Sequence, residues 1–261
     1  MPAPHRRKLS LVPIITSIAV LAMLTALGVR IYRHPRETLI ETIRAAMLLV
    51  GIREGTCNLG GVSMHFYCAG RRGTPIVLIH GPGNSAEVWA ALIPLLGKEY
   101  LVYAPDMPGS GKTPLAPEGT SIATHVFYLE RFLDALGYPR VKLIGNSMGG
   151  WIATYFAVAH PERVECLYLL NSASIRHKNA RGPGGYAGRE ELDSVLSQVH
   201  VPTTIIWGER DTLLSRADAH DLRRGIRGAQ LIFLPDVGHM PQVQAPFQVA
   251  RLILEPVMSH Q

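Results

Sequence analysis

The sequence predicts an α/β domain built on a mainly parallel sheet with helices on both faces. Three observations carry that prediction. β-type apolar runs alternate with helix-type runs from about residue 75 onward, the pattern of strand–helix–strand crossovers. One such run, Val141-Lys142-Leu143-Ile144, passes through Gly145-Asn146-Ser147-Met148-Gly149-Gly150 straight into the helix-type run Trp151 to Ala157. With 261 residues and 47% hydrophobic content, the chain can also bury one substantial core.

The elements follow in order. Residues 9–29 carry no charge, and about 20 apolar residues suffice to span a bilayer core. The run is longer than the apolar region of a cleaved signal peptide, although Ala26-Leu27-Gly28 resembles a cleavage site. A retained membrane anchor over residues 1–35 is therefore favoured over a cleaved signal. The basic N-terminus would stay in the cytoplasm and the folded domain would lie outside it. Apolar residues at helical spacing from Glu37 to Val50 predict an amphipathic linker helix within 36–54.

The domain itself, 55–261, opens with a hairpin over 55–68 turning at Gly60-Gly61. Strands are expected at Pro75 to His80, Tyr100 to Pro105, Val141 to Ile144, Val164 to Leu170, Thr203 to Trp207 and Gln230 to Leu234. Helices are expected at Ala86 to Leu96, Ile122 to Leu136, from the Gly-rich corner to His160, and at Pro246 to Met258. Between two of the strands only about 174–201 remains for a lid. That segment contains Arg181-Gly182-Pro183-Gly184-Gly185-Tyr186-Ala187-Gly188 and has room for one short helix, Glu190 to Gln198.

Composition narrows the function classes. Charged residues make up 18% and the net charge is +6, with part of the excess at Arg6, Arg7, Lys8, Arg30, Arg33 and Arg36. Basic residues placed there speak for a membrane surface rather than nucleic acid. Cys57, Cys68 and Cys166 lack metal-ligand spacing, so no metal or cofactor is expected. Cys57 and Cys68 could approach each other across the hairpin, but free thiols are the favoured reading.

A strand that turns at once into a helix holds the residue at its corner in a strained conformation. Glycines two before and two after leave room for that turn, and the corner side chain faces solvent. Ser147 is thus the candidate nucleophile. A serine hydroxyl needs a base within hydrogen-bond reach, itself oriented by a carboxylate. His239, delivered by Pro235-Asp236-Val237-Gly238 after a strand, is the candidate base. Asp211, in the loop after Thr204-Ile205-Ile206-Trp207, is the candidate acid; Asp236 is its rival but is read as a brace for the loop. His80 opens a Gly-Pro-Gly turn and is read as a loop support, and His160 as a helix-end residue. The oxyanion formed on attack needs backbone N–H donors, each worth roughly 3–4 kcal/mol in the transition state. Met148 supplies one. Pro82 has no N–H, so the second falls to Gly83 of His80-Gly81-Pro82-Gly83-Asn84.

Gly109-Ser110-Gly111-Lys112-Thr113 ends like a phosphate-binding loop. Its first glycine would have to fall where Asp106 stands, and Pro114 and Pro117 spoil the following helix. It is read as a tight turn, and no nucleotide is expected.

Five blocks, in order, resemble the α/β-hydrolase superfamily over about Val62 to Met258. They are Ile79-His80-Gly81, Asp106 to Gly111, Gly145 to Gly150, Trp207 to Asp211, and Asp236 to Pro241. The elbow and the preceding hydrophobic segment are similar to membrane-associated bacterial lipases and esterases of the monoacylglycerol-lipase type. The resemblance implies Ser147, Asp211 and His239 as a triad with Met148 as oxyanion donor. Its departures are Pro82, where the family has a residue with a free N–H, and the short lid. The expected function is a serine carboxylic-ester hydrolase acting on small-molecule or lipid-derived esters. The alternatives are a same-fold hydrolase of amide, thioester or C–C bonds, and a non-catalytic membrane-tethered binding protein.

Overall fold

The strand that carries the Ser147 corner lies in the middle of an eight-stranded sheet, and the rest of the domain is arranged around it. The computed structural model describes residues 25–172 and 195–255, so most of the predicted anchor and most of the lid lie outside the described residues. The chain divides into two compact units, Met1–Ala46 and Met47–Gln261.

In the first unit a helix over residues 25–33, α1, is followed by α2 (Pro35–Leu49), which is close to the predicted amphipathic span and whose last residues, from Met47, already belong to the second unit. Pro35 opens α2, where its missing N–H costs nothing. Both carboxylate oxygens of Glu41 accept from Arg30 Nη2, each at 2.6 Å. Among the described residues no helix is long and apolar enough to cross a membrane.

The second unit holds the sheet, in the order β1-β2-β4-β3-β5-β6-β7-β8. Its strands are β1 (Arg53–Asn58), β2 (Ser63–Ala69), β3 (Ile76–Ile79), β4 (Val102–Pro105), β5 (Val141–Asn146), β6 (Val164–Leu170), β7 (Thr203–Gly208) and β8 (Gln230–Leu234). β1 and β2 are antiparallel, β2 is antiparallel to β4, and every other pair is parallel. The hairpin turns at Gly60 and Gly61, which adopt φ of 72° and 103°. Its register pairs Cys57 with Met64 and Cys68 with Arg53, which puts the two cysteines at opposite ends and rules out a bridge between them. All three cysteines are free thiols.

β3 is buried along its whole length, and its continuous Ile-Val-Leu-Ile suits a strand covered on both faces. α5 (Met148–Ala159) is apolar on nearly all sides and is buried between the sheet and α4 (Ile122–Leu136). α4 begins at the cap Ser121, whose hydroxyl accepts from Thr124 N–H, and ends at Gly137 in the left-handed conformation.

The helix expected over Ala86 to Leu96 is instead a 3₁₀ turn, Ala86–Trp89, followed by a single turn α3 (Ile93–Leu96). Pro94 explains the break, because its ring excludes the carbonyl four residues back and it has no N–H to continue a helix. α6 (Arg216–Gly225) starts with a capping box between Ser215 and Asp218. The C-terminal helix is preceded by an extra turn, giving α7 (Pro241–Gln244) and α8 (Pro246–Leu254).

β3 and β5 are neighbours, yet the chain leaves β3 toward β4 on one side and leaves β5 toward β6 on the other. The connections diverge at their carboxyl ends and open a crevice, where ligands of such sheets bind.

Candidate active site

Ser147 sits at the β5–α5 corner with φ 56° and ψ −121°, a conformation that costs an ordinary side chain on the order of 1–3 kcal/mol. The neighbouring glycines are required by contact. A Cβ on Gly149 would lie 2.0 Å from the Ile79 carbonyl oxygen, and one on Gly145 would lie 2.3 Å from the Gly149 oxygen. The helix can start this close to β3 and β5 only without side chains there. Met148 opens α5, so its N–H belongs to the unpaired first turn at the positive end of the helix.

Asp211 lies in the turn after β7 and His239 in the loop after β8, and the two meet. His239 Nδ1 and Asp211 Oδ2 are 2.7 Å apart. The carboxylate is held from every side: Asn171 Nδ2 donates to Oδ2 at 2.6 Å, and the N–H groups of Leu213 and Leu214 donate to Oδ1 at 2.8 and 3.0 Å. Burial pushes the Asp211 carboxyl up, but the bonds from His239, Leu214, Asn171 and Leu213 outweigh it and hold the group below its ordinary range. The loop bearing His239 rests directly on the end of β7, where a Cβ on Gly208 would meet the Gly238 oxygen at 2.2 Å.

Asn146, just before Ser147, joins this pair to the elbow. Its Nδ2 donates to the His239 carbonyl at 3.0 Å and to the Leu170 carbonyl at 2.9 Å, while its Oδ1 accepts from Gln242 Nε2 at 3.1 Å. No hydrogen bond joins Ser147 Oγ to His239 Nε2 among the described residues; such contacts often tighten only when substrate is bound. The structure thus brings Asp211 and His239 into contact and ties the His239 backbone to the residue beside Ser147.

Opposite the serine, Gly81 is the loop residue that abuts it: a Cβ there would lie 3.0 Å from Ser147 Cβ. Gly83, with φ 69°, is exposed and has open space around it. His80 is fully buried beneath the loop. Its Nε2 accepts from Met107 N–H at 3.1 Å, which leaves Nδ1 as the donor to the Gly81 carbonyl at 2.8 Å. Burial pushes its pKa down, in keeping with a neutral ring that supports the loop. Asp236, the rival acid, is exposed, takes φ 63° and pairs with Arg210 rather than with His239.

The Gly109-to-Thr113 turn wraps around the buried Asp106 carboxylate. That group accepts from Ala86 N–H at 2.7 Å and Lys112 N–H at 2.9 Å, and pairs with His65 Nδ1 at 2.8 Å. A Cβ on Gly111 would collide with the carboxylate at 2.2 Å, so the space a phosphate would need is already filled. Three residues of the site went unread in the sequence: Asn171, Gln242, and Asn146 as a tie rather than a filler of the elbow. Asn171 alone left a signal in the sequence, a polar residue directly after the run Leu167-Tyr168-Leu169-Leu170 of β6; in the structure it adopts φ 38°.

A family model for the alpha/beta hydrolase fold matches residues 74–194. The hydrolase of 2-hydroxy-6-oxo-6-(2'-aminophenyl)hexa-2,4-dienoic acid from Metapseudomonas resinovorans is 38% identical over 122 residues, covering 45% of this chain and 42% of that protein. The 2-hydroxy-6-oxo-2,4-heptadienoate hydrolase of a Pseudomonas putida strain is 35% identical over 136 residues, covering 50% and 49%. The chain spans about half the length of these curated relatives. Among solved structures, a bacterial membrane phospholipase A superposes with a TM-score of 0.74 at 22% identity, over 92% of this chain and 97% of that one. A serine hydrolase involved in carbazole degradation superposes with a TM-score of 0.70 at 26% identity, over 78% and 98%.

Proposed function

We propose that this member of the α/β-hydrolase superfamily is a serine hydrolase of carboxylic esters working through an acyl-enzyme. The observation that carries the reading is the His239–Asp211 hydrogen bond, tied through Asn146 to the strained Ser147 corner. In this reading Ser147 Oγ attacks the ester carbonyl carbon while His239 Nε2 takes its proton. Asp211 holds Nδ1–H and stabilises the imidazolium that forms. The oxyanion is met by Met148 N–H and by a second donor from the loop after β3, which the sequence reading gives to Gly83, although Gly81 is the loop residue lying against Ser147. Collapse breaks the bond to the alkoxy group, which leaves as the alcohol with the proton from His239. Water, deprotonated by the same imidazole, then releases the acid and restores Ser147.

A hydrophobic N-terminal segment retained as an anchor, with the domain outside the cytoplasm, would suit lipid-derived esters. A second reading, hydrolysis of C–C bonds by the same three residues, is favoured by the two hydrolases of 2-hydroxy-6-oxo acids among the sequence relatives.

The test is turnover of p-nitrophenyl esters graded from acetyl to palmitoyl, beside a 2-hydroxy-6-oxo-dienoate, by wild type and Ser147→Ala, together with fluorophosphonate labelling. Ester turnover and labelling are both expected to vanish in the variant. Ester turnover that survives Ser147→Ala eliminates the mechanism, and turnover of the dienoate alone selects the second reading.

A further inference from the structure

At the opposite end of the sheet from Ser147, three chain segments converge on a concave pocket of about 520 Å³. Arg53 comes from the start of β1, Arg71 and Arg72 from the loop leaving β2, and Lys98 from the loop entering β4. The loops that carry Arg71, Arg72 and Lys98 precede β3 and β4, whereas Ser147, Asp211 and His239 follow the carboxyl ends of β5, β7 and β8.

The convergence is built into the backbone. Gly70 adopts φ 84°, and a Cβ there would lie 1.9 Å from the Tyr100 carbonyl oxygen. Gly97 is pressed in the same way, with a Cβ position 3.1 Å from Ala69 Cβ. These two glycines let the Arg71-Arg72 loop lie against the segment that carries Lys98. The β1–β2 register then sets Arg53 opposite Cys68, two residues before Gly70.

All four cations are exposed, and none has a carboxylate partner among the described residues. Their acidic chain neighbours, Glu54 and Glu99, do not line the pocket. Glu54 is engaged elsewhere, by Lys112 Nζ at 2.5 Å and His65 Nε2 at 3.3 Å. Four uncompensated positive charges around one concavity repel each other in the folded protein and are satisfied together by a multiply charged anion. Arginine forks match the oxygens of a phosphate in bidentate fashion.

We infer that this pocket binds a phosphate-bearing anion, either a phospholipid headgroup or a free phosphate group, at a place separate from the Ser147 crevice. The inference stands whether or not Ser147 is a nucleophile.

The experiment uses the full chain in a neutral detergent. Binding of inorganic phosphate and of dihexanoylphosphatidylglycerol is measured by calorimetry, with acetate at equal ionic strength as the control anion. Arg71→Ser/Arg72→Ser is compared with wild type and with Arg223→Ser/Arg227→Ser, which removes the same charge from exposed positions elsewhere. The wild type is expected to bind at least one phosphate probe and to prefer it over acetate. The pocket variant is expected to bind at least about tenfold more weakly, since each cation contributes about fivefold toward an anionic headgroup. The control variant is expected to match wild type. Binding of both probes points to the phosphate group itself, and binding of the lipid alone to a headgroup. Should Arg71→Ser/Arg72→Ser fail to fold, Lys98→Ser is compared with Arg223→Ser alone, and binding about fivefold weaker than wild type is expected of Lys98→Ser only. No binding by wild type, equal binding of acetate, or equal weakening in both double variants overturns the inference.

Discussion

On the proposed mechanism, Asn146→Ala should separate the placement of His239 from the chemistry of Ser147. Asn146 is 1% exposed, and a substrate in the crevice would not touch it. The substitution removes three hydrogen bonds. The Leu170 carbonyl keeps a partner, because it also accepts from Ser147 N–H at 3.1 Å. The His239 carbonyl and the fully buried Gln242 amide lose theirs. At about 1–3 kcal/mol for each buried group left unpaired, and with the His239 carbonyl near the accessible side, the cost comes to about 3 kcal/mol. In a chain of this size that lowers Tm by about 6–12 °C.

The effect on turnover is separate. With the His239 loop freed from the elbow, a displacement of about 1 Å is enough to cost about 100-fold in kcat, while KM stays near wild type. Thermal melts and ester kinetics, run well below the melting temperature of the variant, measure both. A variant that melts lower but keeps kcat within twofold of wild type would refute the idea that Asn146 positions the base. A raised KM with unchanged kcat would refute it as well.

Gly149→Ala drives a Cβ to 2.0 Å from a main-chain oxygen of β3, so loss of soluble protein or at least about a 100-fold fall in kcat is expected. Gly137→Ala, where only the positive φ is strained and the space is open, should cost about 1–2 kcal/mol in denaturant titrations and leave kcat alone. Asp106→Asn breaks the buried pair with His65 and turns an NH₂ toward a backbone N–H, for an expected loss of about 3–5 kcal/mol by urea unfolding. Despite burial, the His65 bond and the two N–H donors hold Asp106 below the ordinary carboxylate value of 3.8. Its contribution is therefore complete above that value and lost as pH falls through the lower folded pKa, so wild type and Asp106→Asn should converge in acid. His125 has the opposite chemistry: burial, with the neighbouring His80, holds its pKa down to about 4 against an ordinary 6.5. The unfolded chain gains that proton first, so stability declines as pH falls from 6.5 toward 4. Between pH 8 and pH 5 His125→Leu should remove about 2 kcal/mol of that decline, and an identical pH slope in both proteins would sink the assignment.

Read locally, the chain already announces most of its architecture. Alternating apolar runs, Gly60-Gly61 at a turn, and glycines flanking Ser147 are short-range signals, because backbone strain and hydrophobic period act over a few residues. The helix over Ala86 to Leu96 failed locally too, since Pro94 was there to be weighed. Asp211 and His239 could be placed at loops after strands, and their separation of 28 positions closes because β7 and β8 are adjacent.

Other contacts were decided only by the tertiary structure. Asn146 reaches His239 across 93 positions and Gln242 across 96, and Asn171 reaches Asp211 across 40. The basic pocket likewise assembles Arg53, Arg71, Arg72 and Lys98 from three segments. These pairings depend on which strand lies beside which and on where side chains meet a distant backbone. A local pattern carries no record of either, because the free energy that selects them comes from burial and hydrogen bonding completed only when the sheet closes.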